Sequence, residues 1–134
     1  MKMKPLQINW HKASTIPIHK EKIWIWVQPM KRWKFSMGDI TERETLKAPM
    51  TGVDGVFHVA AWYKVGVKEP LADRINVDGT RNVLCCMRAL EIPRGVYTSS
   101  VAVFSDTKGA VPDETYRYDG PHISHYDRTK WLAH

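Results

Sequence analysis

The sequence predicts an α/β fold, in which helices cross over between the parallel strands of a sheet. Three segments carry this prediction: an apolar run at residues 56–61, an amphipathic stretch at 72–90 and a second apolar run at 95–99. A strand, a long helix and a second strand in this order are typical of a βαβ unit with a right-handed crossover. Ligands of such sheets bind beyond the carboxyl ends of the strands, which here are residues 58–61 and 99–100.

The first strand is predicted by residues 56–61, which read VFHVAA and follow a glycine turn at residues 52–55. A nearly continuous apolar run is typical of a strand covered on both faces, as in a parallel sheet. We expect His58, inside this run, to be a packing residue and not a catalyst.

The long helix is predicted by apolar residues at spacings of three and four, and Pro70 is suited to its first turn. The apolar positions are Ala72, Ile75, Gly79, Val83, Cys86 or Met87, and Leu90. Pro93 and Gly95 end the helix. The second strand follows at residues 95–99, then a polar loop at 105–115, and a last helix begins at about Ile123.

Charge divides the chain at residue 37. The net charge of the 134 residues is +6, but residues 1–37 hold eight basic residues against one acidic, whereas residues 38–134 hold 12 basic and 13 acidic. We therefore predict a basic, tryptophan-rich leader at 1–37 and a separate domain at 38–134. In the leader, residues 23–27 predict a strand and residues 33–37 a second short one. Interleaved lysine and tryptophan suit single-stranded nucleic acid, but no recognised module supports that partner, so we expect none.

Composition excludes several classes of protein. Hydrophobic residues make up 43% and charged residues 25%, the balance of an ordinary globular domain. No run approaches the ~18 apolar residues of a membrane span, and the N-terminus lacks the apolar core of a secretory signal. Cys85 and Cys86 are adjacent and point about 100° apart on a helix, so we expect two reduced thiols on or near its buried face. Sparse cysteine is typical of the cytoplasm, where we expect this protein.

A candidate proton relay follows from three residues near the predicted strand ends. Tyr126 and Lys130 are four apart on the last helix and share one face. An ammonium one turn away favours the phenolate and makes the phenol a better acid or base near neutral pH. Ser100 could hydrogen-bond a substrate carbonyl or alcohol. Taken singly, each of the three has a purely structural interpretation: Tyr126 as a half-buried aromatic residue, Lys130 as a solvated charge and Ser100 as a turn residue.

Residues 38–134 carry motifs in a fixed order. They are GDIT at 38–41, VFHVAA at 56–61, NVDGTRNVL at 76–84, VYTSSVAVF at 96–104, and DE at 113–114 followed by YDRTK at 126–130. In these motifs the chain resembles the extended short-chain dehydrogenases/reductases, in the NAD-dependent epimerase/dehydratase and dihydroflavonol-reductase-like group. The resemblance implies a Rossmann-like, doubly wound parallel sheet and NAD or NADP as cofactor. It also implies oxidation, reduction, epimerisation or dehydration of a sugar nucleotide or a small carbonyl or alcohol substrate.

The resemblance assigns catalytic roles residue by residue. Tyr126 would be the catalytic acid/base. Lys130 would hold the hydroxyls of the nicotinamide ribose and tune Tyr126. Ser100 would position the substrate oxygen, with Ser99 as the candidate if the alignment shifts by one.

The resemblance also implies cofactor contacts. Asp39 and Ile40 would flank the adenine, and Ala60 and Ala61 would line the path of the phosphates and ribose, while Tyr126 and Lys130 would contact the nicotinamide half. Asn76 matches a helix asparagine of the family, for which we expect structural support of the site.

Part of the family pattern is absent from this sequence. The glycine-rich turn GxxGxxG, which lets the backbone approach the pyrophosphate, does not occur, and the motifs end at residue 130. We therefore expect a partial fold that lacks the first βαβ unit and the C-terminal substrate region. We also expect weak cofactor binding and self-association through exposed sheet edges. The alternative functions are a catalytically inactive fragment of such an enzyme, and a basic N-terminal module that binds nucleic acid or an acidic partner.

Three histidines and an aromatic pair are further candidates for a functional role. His122, His125 and His134 lie near the last helix, but no acidic or cysteine partner stands at a convincing spacing, so we predict no metal site. Trp62 and Tyr63 follow the first strand, where they could meet a substrate or nicotinamide edge or could simply cover the edge of the sheet.

Overall fold

The computed structural model describes residues 22–27, 34–63 and 69–134, with side chains for residues 36–63 and 70–134. The remainder of the predicted leader lies outside the described residues. The elements in chain order are β1 (Lys22–Val27), β2 (Lys34–Asp39), α1 (Glu44–Met50), β3 (Val56–His58), α2 (Glu69–Ala72), a π-helical segment (Asp73–Asp78), α3 (Gly79–Ala89), β4 (Gly95–Tyr97), a 3₁₀ helix (Val101–Phe104) and α4 (His125–Ala133). We call the continuous stretch of α2, the π-helical segment and α3 the central helix.

The strands form two pairs. β3 and β4 are parallel, with Phe57 opposite Val96, and the central helix connects them. This arrangement confirms the predicted α/β class and the strand, helix, strand order. β1 and β2 are antiparallel, with Lys22 opposite Asp39, so both strands predicted within residues 23–37 are present. Among the described residues, no strand pairing joins the two pairs.

The β3–β4 pair is covered on one face only. Phe57 and Val96 lie side by side on the outer face with 78% and 52% of their surfaces exposed, and Val59 beyond β3 is 66% exposed. The prediction of a strand covered on both faces, running through residue 61, is therefore wrong for this structure: β3 ends at His58. The reason is that helices pack against the inner face of the strand pair, whereas no helix among the described residues packs against its outer face.

The apolar stripe of the central helix is buried as predicted. Ala72, Ile75, Val83 and Cys86 are at most 6% exposed. They pack with residues of the β2–α1 region and the end of the helix to form the core, which contains Ile40, Leu46, Met50, Ile75, Val83, Cys86 and Ile92. Both cysteines are free thiols, in agreement with the sequence. Burial raises the pKa of the Cys86 thiol and so keeps it in the unreactive, protonated form.

The short helix α1 was not predicted. Its seven residues include Pro49 and offer only Leu46 and Met50 to the core, which is too few for a recognisable helical period. The turn before it is built by Asp39, whose Oδ1 accepts hydrogen bonds from the backbone N–H and the hydroxyl of Thr41, each at 2.8 Å. This turn directs the chain from β2 into α1.

The last helix, α4, begins at His125, two residues later than predicted. Ser124 is its N-cap: the Oγ accepts a hydrogen bond from the Asp127 N–H at 3.1 Å, which satisfies one free donor of the first turn. Throughout the described part of the chain, the helices are too short or too polar to cross a membrane.

Candidate active site

Lys130 is the most deeply buried charged residue of the candidate site, with 1% of its surface exposed. Helix α4 aims its side chain at the carboxyl end of β4. There the Nζ donates hydrogen bonds to the Tyr97 hydroxyl and to the Thr98 carbonyl oxygen, both at 2.9 Å. It also lies 4.5 Å from the centre of the Tyr97 ring, close enough for a cation–π interaction.

The Lys130 charge has no anionic partner among the residues that the structure describes. Burying an ammonium without a counter-ion is costly, and such an arrangement is found where the charge has a use. An ammonium has three N–H donors, and the two acceptors above take two of them. The third donor has no acceptor among the described residues.

Tyr126 lies one turn before Lys130 on α4 and is partly buried. Its hydroxyl has no hydrogen bond within the described residues. The Lys130 ammonium hydrogen-bonds the Tyr97 hydroxyl, and the expected influence of Lys130 on Tyr126 stays a prediction. The catalytic role of Tyr126 stays a prediction, and its unpartnered hydroxyl can meet a substrate oxygen.

Ser100 caps the 3₁₀ helix that follows β4. Its Oγ accepts a hydrogen bond from the Ala102 N–H at 3.1 Å, so its own proton can still be donated. The Oγ of the neighbouring Ser99 lies 2.9 Å from the His134 Nδ1. Ser100 therefore fits the predicted role of substrate-oxygen donor better than Ser99 does.

A cleft of about 580 Å³ opens beside this strand end. Ser99 and Ser100 form part of its wall, and the aromatic side chains of Phe104, Tyr116, Tyr118 and Trp131 form much of the rest. Tyr126 and Lys130 are not among its lining residues. The structure thus brings Ser100 to a cavity and places the Tyr126–Lys130 face of α4 outside it.

On the predicted adenine side, Asp39 and Ile40 occupy the turn between β2 and α1. The Ile40 side chain is 2% exposed and packs against Gly79 in the central helix, and its carbonyl oxygen accepts a hydrogen bond from Asn82 at 2.8 Å. Any contact of Ile40 with an adenine would therefore be through its backbone, and Asp39 would contribute its side chain. These contacts remain predictions, as do those of the partly buried Ala60 and Ala61.

Asn76 holds the segment after β3 against α4. Its Oδ1 accepts from the Trp62 N–H at 2.6 Å, and its Nδ2 donates to the Trp62 carbonyl at 2.9 Å and to the Thr129 Oγ1 at 2.8 Å. The side chain is 1% exposed and sits in the π-helical segment, a distortion that often marks functional sites. This geometry matches the supporting role expected for Asn76.

The sequence did not single out Tyr97, Thr80 or Thr129. Tyr97 could have been found from the alternation of side chains along β4, which places it on the inner face of the sheet. There it is the register partner of the buried His58. Of the two residues after Ala61, Trp62 is partly buried against the core and Tyr63 is 79% exposed.

The candidate histidines do not form a metal site in the described part of the chain, where no three His, Cys, Asp or Glu residues cluster suitably. The His122 ring packs between Tyr118 and Trp131, with ring centres 5.3 Å away in each case.

Comparison with known proteins places this arrangement in a family. The model of the 3-beta hydroxysteroid dehydrogenase/isomerase family matches residues 18–134, and so begins within the segment predicted as a leader. The chain is 36% identical over 98 residues to the N-acetyl-alpha-D-glucosaminyl-diphospho-ditrans,octacis-undecaprenol 4-epimerase of Escherichia coli O157:H7, covering 72% of this chain and 29% of the epimerase. It is 43% identical over 83 residues to a putative dihydroflavonol 4-reductase of Synechocystis sp., covering 60% of this chain and 24% of that protein.

Among solved structures, the chain is similar to a GDP-L-fucose synthetase from Naegleria fowleri bound to NADP, with a TM-score of 0.60 and 26% identity. That match covers 72% of this chain and 31% of the synthetase. The chain thus spans between a quarter and a third of the relatives that it matches. The partial Rossmann-like fold is confirmed, and the chain belongs to the 3-beta hydroxysteroid dehydrogenase/isomerase family within the extended short-chain dehydrogenases/reductases.

Proposed function

We propose that this chain carries the acid/base and nicotinamide-ribose part of an NAD(P)-dependent oxidoreductase, epimerase or dehydratase that acts at a carbonyl or alcohol carbon. Sugar nucleotides are one candidate substrate class, because two similar proteins carry names of nucleotide- or lipid-linked sugar enzymes. The observation that carries the proposal is the buried Lys130 ammonium, which has neither a counter-ion nor an acceptor for its third N–H among the described residues.

The residues fit one end of a nicotinamide cofactor. A ribose diol offers neutral oxygen acceptors, which suit an ammonium whose other two N–H groups are already held by Tyr97 and Thr98. The pyrophosphate end finds no GxxGxxG turn in the sequence. When bound, the nicotinamide supplies or accepts a hydride at the substrate carbon.

The proton would be moved by residues of this chain. In the reducing direction, the Tyr126 O–H gives its proton to the substrate oxygen as the carbon gains hydride; in the oxidising direction, the phenolate takes the proton back. The Ser100 hydroxyl would donate a hydrogen bond to the same oxygen, which requires a substrate that extends from the cleft to Tyr126. Lys130 fixes the ribose, so the nicotinamide is held near the substrate.

Reduced nicotinamide mononucleotide tests the ribose contact, since it contains that ribose but no adenosine. Titration followed by NMR should shift the Lys130 ε-methylene and Tyr97 ring signals. Lys130→Met should weaken binding roughly tenfold or more, the factor expected for losing a charged hydrogen bond. The matched control is Lys47→Met, since Lys47 is half exposed on α1 and pairs with Glu44. Equal binding by both variants would refute the ribose contact.

Turnover tests the acid/base role. Tyr126→Phe should lower the rate of NADPH consumption with ketone or nucleotide-sugar substrates by about 10²- to 10⁴-fold, the usual contribution of a general acid. Unchanged turnover would remove Tyr126 from the mechanism. If the mononucleotide binds but no substrate turns over, the alternative of a catalytically inactive chain gains support. Micromolar affinity for whole NAD(H) or NADP(H) by calorimetry would contradict the weak binding expected without the glycine turn.

A further inference from the structure

The tautomer of His58 is fixed by the direction of two hydrogen bonds. The Thr80 Oγ1 lies 2.7 Å from the Asn76 carbonyl oxygen, which can only accept, so the single hydroxyl proton of Thr80 points there. The His58 Nε2 lies 2.9 Å from the same Thr80 oxygen. Since that hydroxyl has no second proton to give, the His58 Nε2 must donate. His58 is therefore protonated at Nε2 and bare at Nδ1.

Charge and burial favour the neutral form of this ring. His58 is 5% exposed, and desolvation lowers its pKa to about 4, with the nearby Lys130 ammonium adding to the shift. The groups that face it are the Thr80 hydroxyl from the central helix, the Tyr97 phenol from β4 and the Lys130 ammonium from α4. Within the described residues, the ring contacts no carboxylate that could stabilise an imidazolium.

The His58 ring is stacked on the phenol that binds Lys130. His58 and Tyr97 are register partners on neighbouring strands, and their ring centres lie 5.5 Å apart with an interplanar angle of 29°. The Tyr97 hydroxyl accepts a hydrogen bond from the Lys130 Nζ at 2.9 Å. Contacts therefore run without a break from the central helix, through both strands, to the ammonium on α4.

We propose that His58 is a positioning residue for Lys130, acting through Tyr97: its ring, locked as the neutral Nε2–H tautomer by Thr80, holds the phenol that orients the ammonium. An imidazolium in this place would repel Lys130, and the Nδ1–H tautomer would lose the bond to Thr80. Loss of the ring would let the phenol tilt and would release one acceptor of the ammonium. The consequence for cofactor binding rests on the proposed function; the geometry itself does not.

The side-chain nitrogens of histidine, followed by ¹⁵N NMR, test the tautomer in the unmodified protein. The signal assigned to His58 should show the Nε2–H pattern at pH 7 and should not titrate until about pH 4. An Nδ1–H pattern, or titration near the ordinary value of a histidine, would overturn the inference whether or not any cofactor binds.

Two variants separate the ring from its hydrogen bond. His58→Phe keeps an aromatic ring against Tyr97, and His58→Gln keeps an N–H donor for Thr80 but no ring. The ring current of Tyr97 should shift the Lys130 ε-methylene protons upfield in the native protein and in His58→Phe, but not in His58→Gln. Retention of that shift in His58→Gln would overturn the inference without reference to any ligand.

Binding of reduced nicotinamide mononucleotide then measures the functional consequence. His58→Gln should bind it roughly 2- to 10-fold more weakly, the factor that an aromatic contact of ordinary strength produces, while His58→Phe stays near the native value. The reverse order would overturn the positioning role. Absence of binding by the native protein would instead refute the proposed ribose contact, and the two NMR tests above would still decide the role of His58.

Discussion

Asn76 is expected to hold the segment after β3 to the helix that carries Tyr126, and its removal gives the sharpest test of the fold around the site. Asn76→Ala deletes three hydrogen bonds: two to the backbone of Trp62, which are partly buried, and one to the Thr129 hydroxyl, which is fully buried. Water can reach the first two groups in part, so each should cost about 1 kcal/mol, and the buried one should cost up to about 2 kcal/mol.

The expected loss for Asn76→Ala is thus about 3 to 4 kcal/mol, or roughly 10 to 15 °C in the melting temperature of a domain of this size. Asn82→Ala is the matched control, because Asn82 lies on the same central helix and its side chain makes a single hydrogen bond within the described residues, to the Ile40 carbonyl at 2.8 Å. That variant should lose about 1 kcal/mol. Chemical denaturation measures both values.

Hydrogen exchange locates the effect. The Trp62 amide, bonded to the Asn76 Oδ1 at 2.6 Å, should exchange much faster in Asn76→Ala than in Asn82→Ala. Asn76→Asp keeps this acceptor but sets a carboxylate oxygen against the Trp62 carbonyl, so its stability should improve as the pH falls and the carboxylate is protonated. Equal losses in the two alanine variants, with the Trp62 amide equally protected, would refute the role assigned to Asn76.

Two further predictions concern packing and pH. Gly79→Ala should destabilise the protein by about 1 kcal/mol. The new Cβ would lie 2.5 Å and 2.8 Å from the Cδ1 and Cγ1 of the buried Ile40, and such overpacking costs about 2 kcal/mol. The higher helix propensity of alanine offsets about 1 kcal/mol of that cost. Thermal denaturation checks it, a gain in stability would contradict it, and Ile40→Val should reduce the cost. The second prediction follows from the pKa of about 4 for folded His58, below the 6.5 of the unfolded chain, so the unfolded state takes up the proton first. The contribution of His58 to the free energy of unfolding should be fully present above pH 6.5 and should fall by about 3 kcal/mol as the pH drops to 4. Denaturant titrations at several pH values should show a smaller pH dependence of this free energy in His58→Gln than in the native protein.

Helical periodicity was sufficient to predict the central helix, because Ala72, Ile75, Val83 and Cys86 form one buried stripe of apolar side chains. The polar Asn76 and Thr80 are buried on the same helix and add nothing to that apolar period. Periodicity could not predict the π-helical segment inside the helix. That segment contains Asn76, whose amide is satisfied by Trp62 and by Thr129, 14 and 53 residues away in sequence. Contacts at such separations leave no periodic trace in a single sequence.

Strand faces were harder to predict, because an apolar run does not say what covers it. Residues 56–61 are compatible with a strand buried on both sides, yet Phe57 and Val96 are exposed together in this structure. The inner face follows the ordinary alternation of a strand: His58 and Tyr97 point to the helices, and Phe57 and Val96, one residue earlier in each strand, point away. The pattern of side chains along the strand was therefore predictable, while the number of layers was not.

The same alternation explains why the partner of Lys130 was missed. The spacing of Tyr126 and Lys130 along α4 shows that they share a helix face. It does not show which groups the end of the long lysine side chain contacts. A buried ammonium goes to the nearest acceptors, and the end of a parallel strand supplies them: the Thr98 carbonyl is free there because β4 ends at Tyr97, and the Tyr97 hydroxyl lies on the inner face. A lysine one turn beyond a tyrosine on a helix that packs on a parallel strand should accordingly be tested first against the last inward-facing residue of that strand. In this chain that residue is Tyr97, and the Tyr126 hydroxyl has no hydrogen bond within the described residues.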